Sequence, residues 1–181
     1  MLTIKVPIGA EGWDDDKQEF VEPTVETLEL EHSLVSLSKW ESKWKKPFYS
    51  KKELSAEETL DYIKCMTLTD NISSDVYDHL TRDNIKNIMD YIADPMTATT
   101  FGKEEKKSGG RETITSELIY YWMIASNIPF ECETWHLNRL ITLIKVCSVK
   151  NTPPKKMSKR DIMSRNAALN AARRQQMNTK G

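Results

Sequence analysis

The densest apolar stretch of the chain covers residues 116–150, SELIYYWMIASNIPFECETWHLNRLITLIKVCSVK, and more polar sequence flanks it on both sides. Within it Leu118, Ile119, Tyr120, Tyr121, Trp122, Met123, Ile124 and Ala125 place apolar or aromatic groups on every side of a helix. That pattern predicts a helix buried among others. The run is too short to span a membrane. Pro129 restricts Ile128 and ends this helix, and Leu137, Leu140, Ile141 and Ile144 then recur at intervals of three and four. A second helix is therefore expected from near Thr134. The two make a predicted helical hairpin with residues 127–133 as its turn.

Elsewhere the periodicity is thinner but still readable. Leu2, Ile4 and Val6 alternate with Thr3 and Lys5, as in a strand with one buried face, and Pro7 and Gly9 close it. Residues 24–31 alternate again, with Val25 and Thr27 on one face and Glu26 and Leu28 on the other. The acidic residues 13–22 between them read as a loop. Leu34, Leu37, Trp40, Glu41 and Trp44 fall at helical spacing, predicting a helix that begins near Ser33 and ends before Pro47. Ser55 and Glu58 form a Ser-x-x-Glu capping box ahead of Leu60, Ile63 and Lys64, a helix through about Met66. Residues 75–80 read as a short helical turn. Thr81 or Asp83 then caps a helix with Ile85, Ile88, Met89 and Ile92 as its stripe, stopped by Asp94 and Pro95. The string TATT before Phe101 reads as extended, and GKEEKKSGG, residues 102–110, as a loop without a nucleotide-binding signature. After Pro153 and Pro154, Ser158 and Asp161 make a second capping pair. They open SKRDIMSRNAALNAARRQQ, whose composition favours helix and whose apolar line of Ile162, the Arg165 stem, Leu169 and Ala172 is thin.

These elements predict a mainly α protein: a compact helical domain with a small N-terminal β element and a basic helical C-terminal arm. Residues 1–32 are the extended element with its acidic loop, 33–150 the helical core domain and 151–181 the arm. With 181 residues and 39% hydrophobic content one core is affordable, while 29% charged residues and a mean hydropathy of -0.58 leave room for polar segments. Net charge refines the picture. The total of -1 conceals a split, because nine of the 26 Lys and Arg but one of the 27 Asp and Glu lie from Lys150 onward. The first 149 residues thus carry seventeen bases against twenty-six acids. An acidic body with a basic arm points to an electrostatic contact, within an oligomer or with another partner.

Candidate chemistry is sparse. Cys65, Cys132 and Cys147 are odd in number and not closely paired, which favours a reducing compartment and core packing over disulfides. Asp14, Asp15 and Asp16 lack the spacing and closing glutamate of a calcium loop. Cys132, His136 and Cys147 lack the second knuckle of a zinc site, so they read as core cysteines and a helix-face histidine. His32, His79 and His136 have no carboxylate at an orienting spacing, and no nucleophile elbow, HExxH or dinucleotide fingerprint occurs. The expectation is a protein without catalytic residues, metal or cofactor. Trp40 and Trp44 beside Lys39, Lys43, Lys45 and Lys46 have the ingredients of a nucleic-acid surface, but tryptophans four apart more often pack on a core while lysines face water. The N-terminus MLTIKVPIGAEGWDDD has no basic segment leading into a long apolar one, which points to the cytosol.

Three segments carry a family resemblance: LEHSLVSLSKWESKWKKPF at 30–48, ITSELIYYWMIASNIPFECETWHLNRLITLIKVCSVKN at 114–151, and PPKKMSKRDIMSRNAALNAARRQQMNTKG at 153–181. Together they resemble the tail assembly chaperones of long-tailed, siphovirus-type phages, especially those of actinobacteria. The resemblance implies a helical, non-enzymatic protein of the host cytoplasm that binds the tape measure protein and promotes tail tube assembly. It further implies contact with the tail tube protein and with a frameshifted longer form of the chain. No catalytic residues are carried over. The alternative of the same origin is a structural virion protein, a neck or tail-completion component, and a nucleic-acid-binding protein ranks below both. A thin apolar line on a basic helix outside the core reads as a docking arm for a partner or a second copy. Its candidate contact residues are Lys155, Lys156, Lys159, Arg160, Ile162, Arg165, Leu169, Arg173 and Arg174.

Overall fold

The computed structural model describes residues 1–9, 12–14, 18–21, 23–50, 53–101, 113–152 and 158–178. The fold is mainly α, with a small antiparallel sheet at the N-terminus, as the periodicity predicts. Two compact units divide it, Met1–Ser148 and Val149–Gly181.

Strand β1, Leu2–Ile8, pairs antiparallel with β4, Thr24–Leu30, in the register Leu2↔Leu30 to Ile8↔Thr24. Ile4, Val6, Leu28 and Leu30 supply the buried face. The strand does not close at Pro7. It continues through Pro7 to Ile8, because β1 is an edge strand and a missing N–H is tolerated there. The expected acidic loop contains a second ribbon instead, β2 (Gly12–Asp14) paired with β3 (Glu19–Val21). Asp15, Asp16, Lys17 and Glu22 lie outside the described residues. At its Leu30 end the sheet is extended by residues 66–68: Glu31 N–H donates to Met66 O at 2.9 Å and Leu68 N–H to Glu29 O at 2.8 Å. This cover occupies the last residues of the β4 edge.

Helix α1, Leu34–Trp44, starts at Ser33, whose hydroxyl caps Ser36 N while the Ser36 hydroxyl accepts from Ser33 N, and it ends on Lys45 in the left-handed region at φ 53°. Helix α2, Ala56–Met66, carries the predicted Ser55–Glu58 capping box in both directions. A 3-10 turn, Ser74–His79, leads to α3, Arg82–Ala93, capped by Thr81. The buried side of α3 is Asn84, Ile88 and Tyr91; the expected stripe member Met89 is exposed. Asn84 explains the offset, because its side-chain amide donates to Lys5 O at 2.9 Å and fixes the helix against β1. No strand forms at TATT.

Helix α4, Ser116–Ala125, and helix α5, Leu137–Asn151, both form, and Ile119, Met123, Leu137, Leu140 and Ile144 share one apolar cluster, but the close backbone neighbour of α4 is α1 rather than α5, its predicted hairpin partner. The connection between them contains a 3-10 segment, Phe130–Thr134, which delays α5 to Leu137. Asn127, rather than Pro129, ends α4. It adopts φ 53°, with Ile128 N–H reaching Met123 O at 2.9 Å and Asn127 N–H reaching Ile124 O at 3.1 Å. Those are the two hydrogen bonds of a Schellman cap, accompanied by burial of Ile128 and Met123 in one cluster. Helix α6, Lys159–Met177, belongs to the second unit, is capped by Ser158 and ends on Asn178 at φ 49°.

Among its described residues the first unit holds two apolar clusters. One gathers Ile4, Val6, Leu28 and Leu30 with Trp40, Tyr62, Ile63, Met66, Val76, Ile88 and Tyr91. The other gathers Leu34, Leu37, Ile119, Met123, Ile128, Cys132, Leu137, Leu140 and Ile144. Helix α1 serves both, its start in the second cluster and Trp40 in the first, and Phe48 packs against each. Strands β1 and β4 and helices α1–α3 therefore share one cluster.

Candidate protein-docking surface

Helix α4 is uncharged from Leu118 to Ala125, yet it is not buried on every side as its composition predicts. Ser116, Ile119 and Met123 face inward, while Tyr121 is 63% and Ile124 60% exposed, with Leu118 and Trp122 half-buried. No element among the described residues of the first unit covers that side of the helix. Phe130, 56% exposed, extends the apolar surface across the turn, and its ring lies 6.4 Å from that of Tyr120. The charged residues in 113–135 are Glu117, Glu131 and Glu133, and Lys45 and Lys46 of the chain after α1 line a shallow pocket with Glu117. An apolar face results, with glutamates at its turn end, of the kind that marks a protein-binding site.

Buried polar contacts hold that face in place. The Glu41 carboxylate on α1 accepts from Ser116 N–H at 2.7 Å and from Phe48 N–H at 2.9 Å. It thus sits at the N-terminus of α4, where the helix dipole favours a negative charge. Tyr120 donates to Glu133 Oε2 at 2.7 Å and ties α4 to the following turn; burial and that carboxylate raise the Tyr120 hydroxyl above the usual phenol range. Hydrogen bonding from its own backbone amide and from Thr115 holds the Glu117 carboxyl below the usual range.

A histidine pair anchors the other end of the turn. Leu137 N–H donates to His32 O at 2.7 Å, and Ser33 forms a β-bridge with His136. The two rings lie 5.1 Å apart at 66°, with His32 1% and His136 7% exposed. His136 is thus buried at the bridge ahead of α5, rather than on a helix face. Its Nε2 donates to Tyr91 O at 3.0 Å, since a carbonyl can only accept. His32 Nδ1 meets Tyr62 Oη at 2.6 Å, and Tyr91 donates to Glu31 Oε1 at 2.7 Å. The remaining nitrogens, His32 Nε2 and His136 Nδ1, have no partner among the described residues. Burial first, and the neighbouring His136 second, lower the His32 pKa to about 3. Spacing gave no signal of this pair, because the two histidines come from different elements. No group of three or more metal-ligating side chains occurs among the described residues.

The tryptophan–lysine segment is occupied internally. Trp40 is buried and its indole donates to Glu58 O at 3.0 Å; Trp44 donates to Asp61 Oδ2 at 2.9 Å. Lys43 pairs with Asp61 and Lys46 with Glu58, and the Lys46 ammonium also lies 5.3 Å from the Trp44 ring centre. The side chains work as core and cover, with Trp40 closed to base stacking.

Of the candidate arm residues, Lys155 and Lys156 lie outside the described residues. Lys159, Arg160, Ile162, Arg165, Leu169, Arg173 and Arg174 all fall on α6, which buries none of its residues. Ile162 and Leu169 lie on one side, two turns apart, with Met163 and Met177 also exposed. What spacing could not supply was the α4 face: a run apolar all round carries no moment to say which side stays outside. No helix among the described residues is long and apolar enough to cross a membrane. Comparison with family models, curated proteins and solved structures finds no match.

Proposed function

We propose that this chain is a non-enzymatic tail assembly chaperone of a long-tailed phage, acting in the host cytoplasm. It binds the tape measure protein and keeps it soluble until the tail tube polymerises around it. The observation that carries this reading is the uncovered face of α4 with Tyr121, Ile124 and Phe130. A long helical client exposes apolar stripes in water, and such a stripe lies in an apolar surface through contacts at helical spacing. The exposed basic helix α6 supports the same reading as a second point of attachment, and the resemblance of residues 30–48, 114–151 and 153–181 supplies the family.

Coexpression tests it. A tape measure protein should stay soluble with the wild-type chain and precipitate alone or with an Ile124→Asp variant. Equal solubility with and without the chain removes the proposal. Mass spectrometry of purified particles is expected to find no copy of this polypeptide; its presence there would favour a neck or tail-completion component.

A further inference from the structure

The α4 face and helix α6 are opposite in charge and alike in apolar length. Glu131 and Glu133 flank the face at its turn end and Glu117 at its start, there beside Lys45 and Lys46, while α6 carries Lys159, Arg160, Arg165, Arg173 and Arg174 against Asp161 alone. Ile162 and Leu169 are seven residues apart, as are Leu118 and Ala125 at the ends of the uncharged run of α4. Both apolar lines therefore extend roughly 10 Å along a helix. Two α4 faces cannot cover each other well, because their flanking glutamates would meet and each body carries nine more acids than bases. The arm, with eight more bases than acids from Lys150 onward, has the complementary charge.

We propose that α6 of one copy docks along the α4 face of a second copy, Ile162 and Leu169 against Tyr121, Ile124 and Phe130, with its arginines over the flanking glutamates. Two copies exchange arms reciprocally, which closes the contact with two-fold symmetry and leaves neither face uncovered. This inference does not depend on the phage reading; in the dimer the arm holds the face that a tape measure protein would take, so a client displaces it, and Leu169→Asp, which lies outside that face, tests the dimer separately from client binding.

Sedimentation velocity of the full chain over a concentration series tests it, at low salt and at about 0.5 M salt, where exposed ion pairs are screened. The wild type is expected to form a dimer that high salt weakens. Leu169→Asp in the arm and Ile124→Asp in the face should each weaken it about tenfold or more, as central contacts do. Both positions are exposed, so an unchanged thermal melt verifies the fold. A charge exchange supplies the decisive arm. Arg173→Glu with Arg174→Glu in one chain, and Glu117→Lys with Glu131→Lys in another, should abolish self-association of each and restore association on mixing. A wild type that is monomeric throughout, self-association untouched by both aspartate variants, or no association on mixing overturns the proposal.

Discussion

Acid should weaken this fold well before its carboxylates protonate, and His32 should be the reason. The ring is buried between Tyr62 and His136, with Tyr91 and Glu31 beyond, and burial holds its pKa near about 3 against an ordinary 6.5. Below 6.5 the unfolded chain takes up a proton that the folded chain refuses, so stability falls as pH falls from about 6.5 towards about 3. Each pH unit inside that window costs about 1.4 kcal/mol, which amounts to about 2 kcal/mol between about pH 7.5 and about pH 5. Asp61 and Glu58 titrate lower: burial opposes the Asp61 shift but Lys43 and Trp44 outweigh it, and Lys46 with Ser55 N–H lowers Glu58. Urea unfolding at both pH values, on the wild type and on His32→Asn, measures the term. Asn accepts from Tyr62 but does not titrate, so the variant should be less stable at neutral pH and lose about 2 kcal/mol less on acidification. Equal pH dependence in the two chains would refute the argument.

Two further perturbations probe the frame under the docking face. Leu140→Ala should cost about 2 to 5 kcal/mol as a large-to-small change at a fully buried site, and a loss under about 0.5 kcal/mol in urea unfolding would place that residue outside the core. Glu41→Ala leaves Ser116 N–H and Phe48 N–H without their acceptor and should cost about 2 to 5 kcal/mol, with Glu41→Gln milder because one amide oxygen replaces two carboxylate oxygens. Unchanged stability of Glu41→Ala in thermal unfolding would show that water serves both amides equally well.

Some of this was legible in the chain because its causes are local. The Ser55–Glu58 box, the Ser33, Thr81 and Ser158 caps and the alternation of Leu2, Ile4 and Val6 each act within a few residues, so their spacing is their structure. The left-handed Asn127 is local too, but Pro129 nearby offered a competing stop. Charge asymmetry between body and arm needs only counting.

Tertiary structure decided the rest. Leu118–Ala125 is apolar all round, and only its packing against Leu34, Leu37, Leu137 and Leu140 determines that Ile119 and Met123 are inside while Tyr121 and Ile124 are outside. Asn84 displaced the buried side of α3 because Lys5 O, far away in sequence, accepts from it. Glu41 lay within a helical stripe and gave no sign that it would cap a helix beginning at Ser116. His32 and His136 are unremarkable where they stand in the chain. They become a pair because a backbone bridge joins the end of the sheet to the start of α5, and long-range pairing of that kind has no periodicity to announce it.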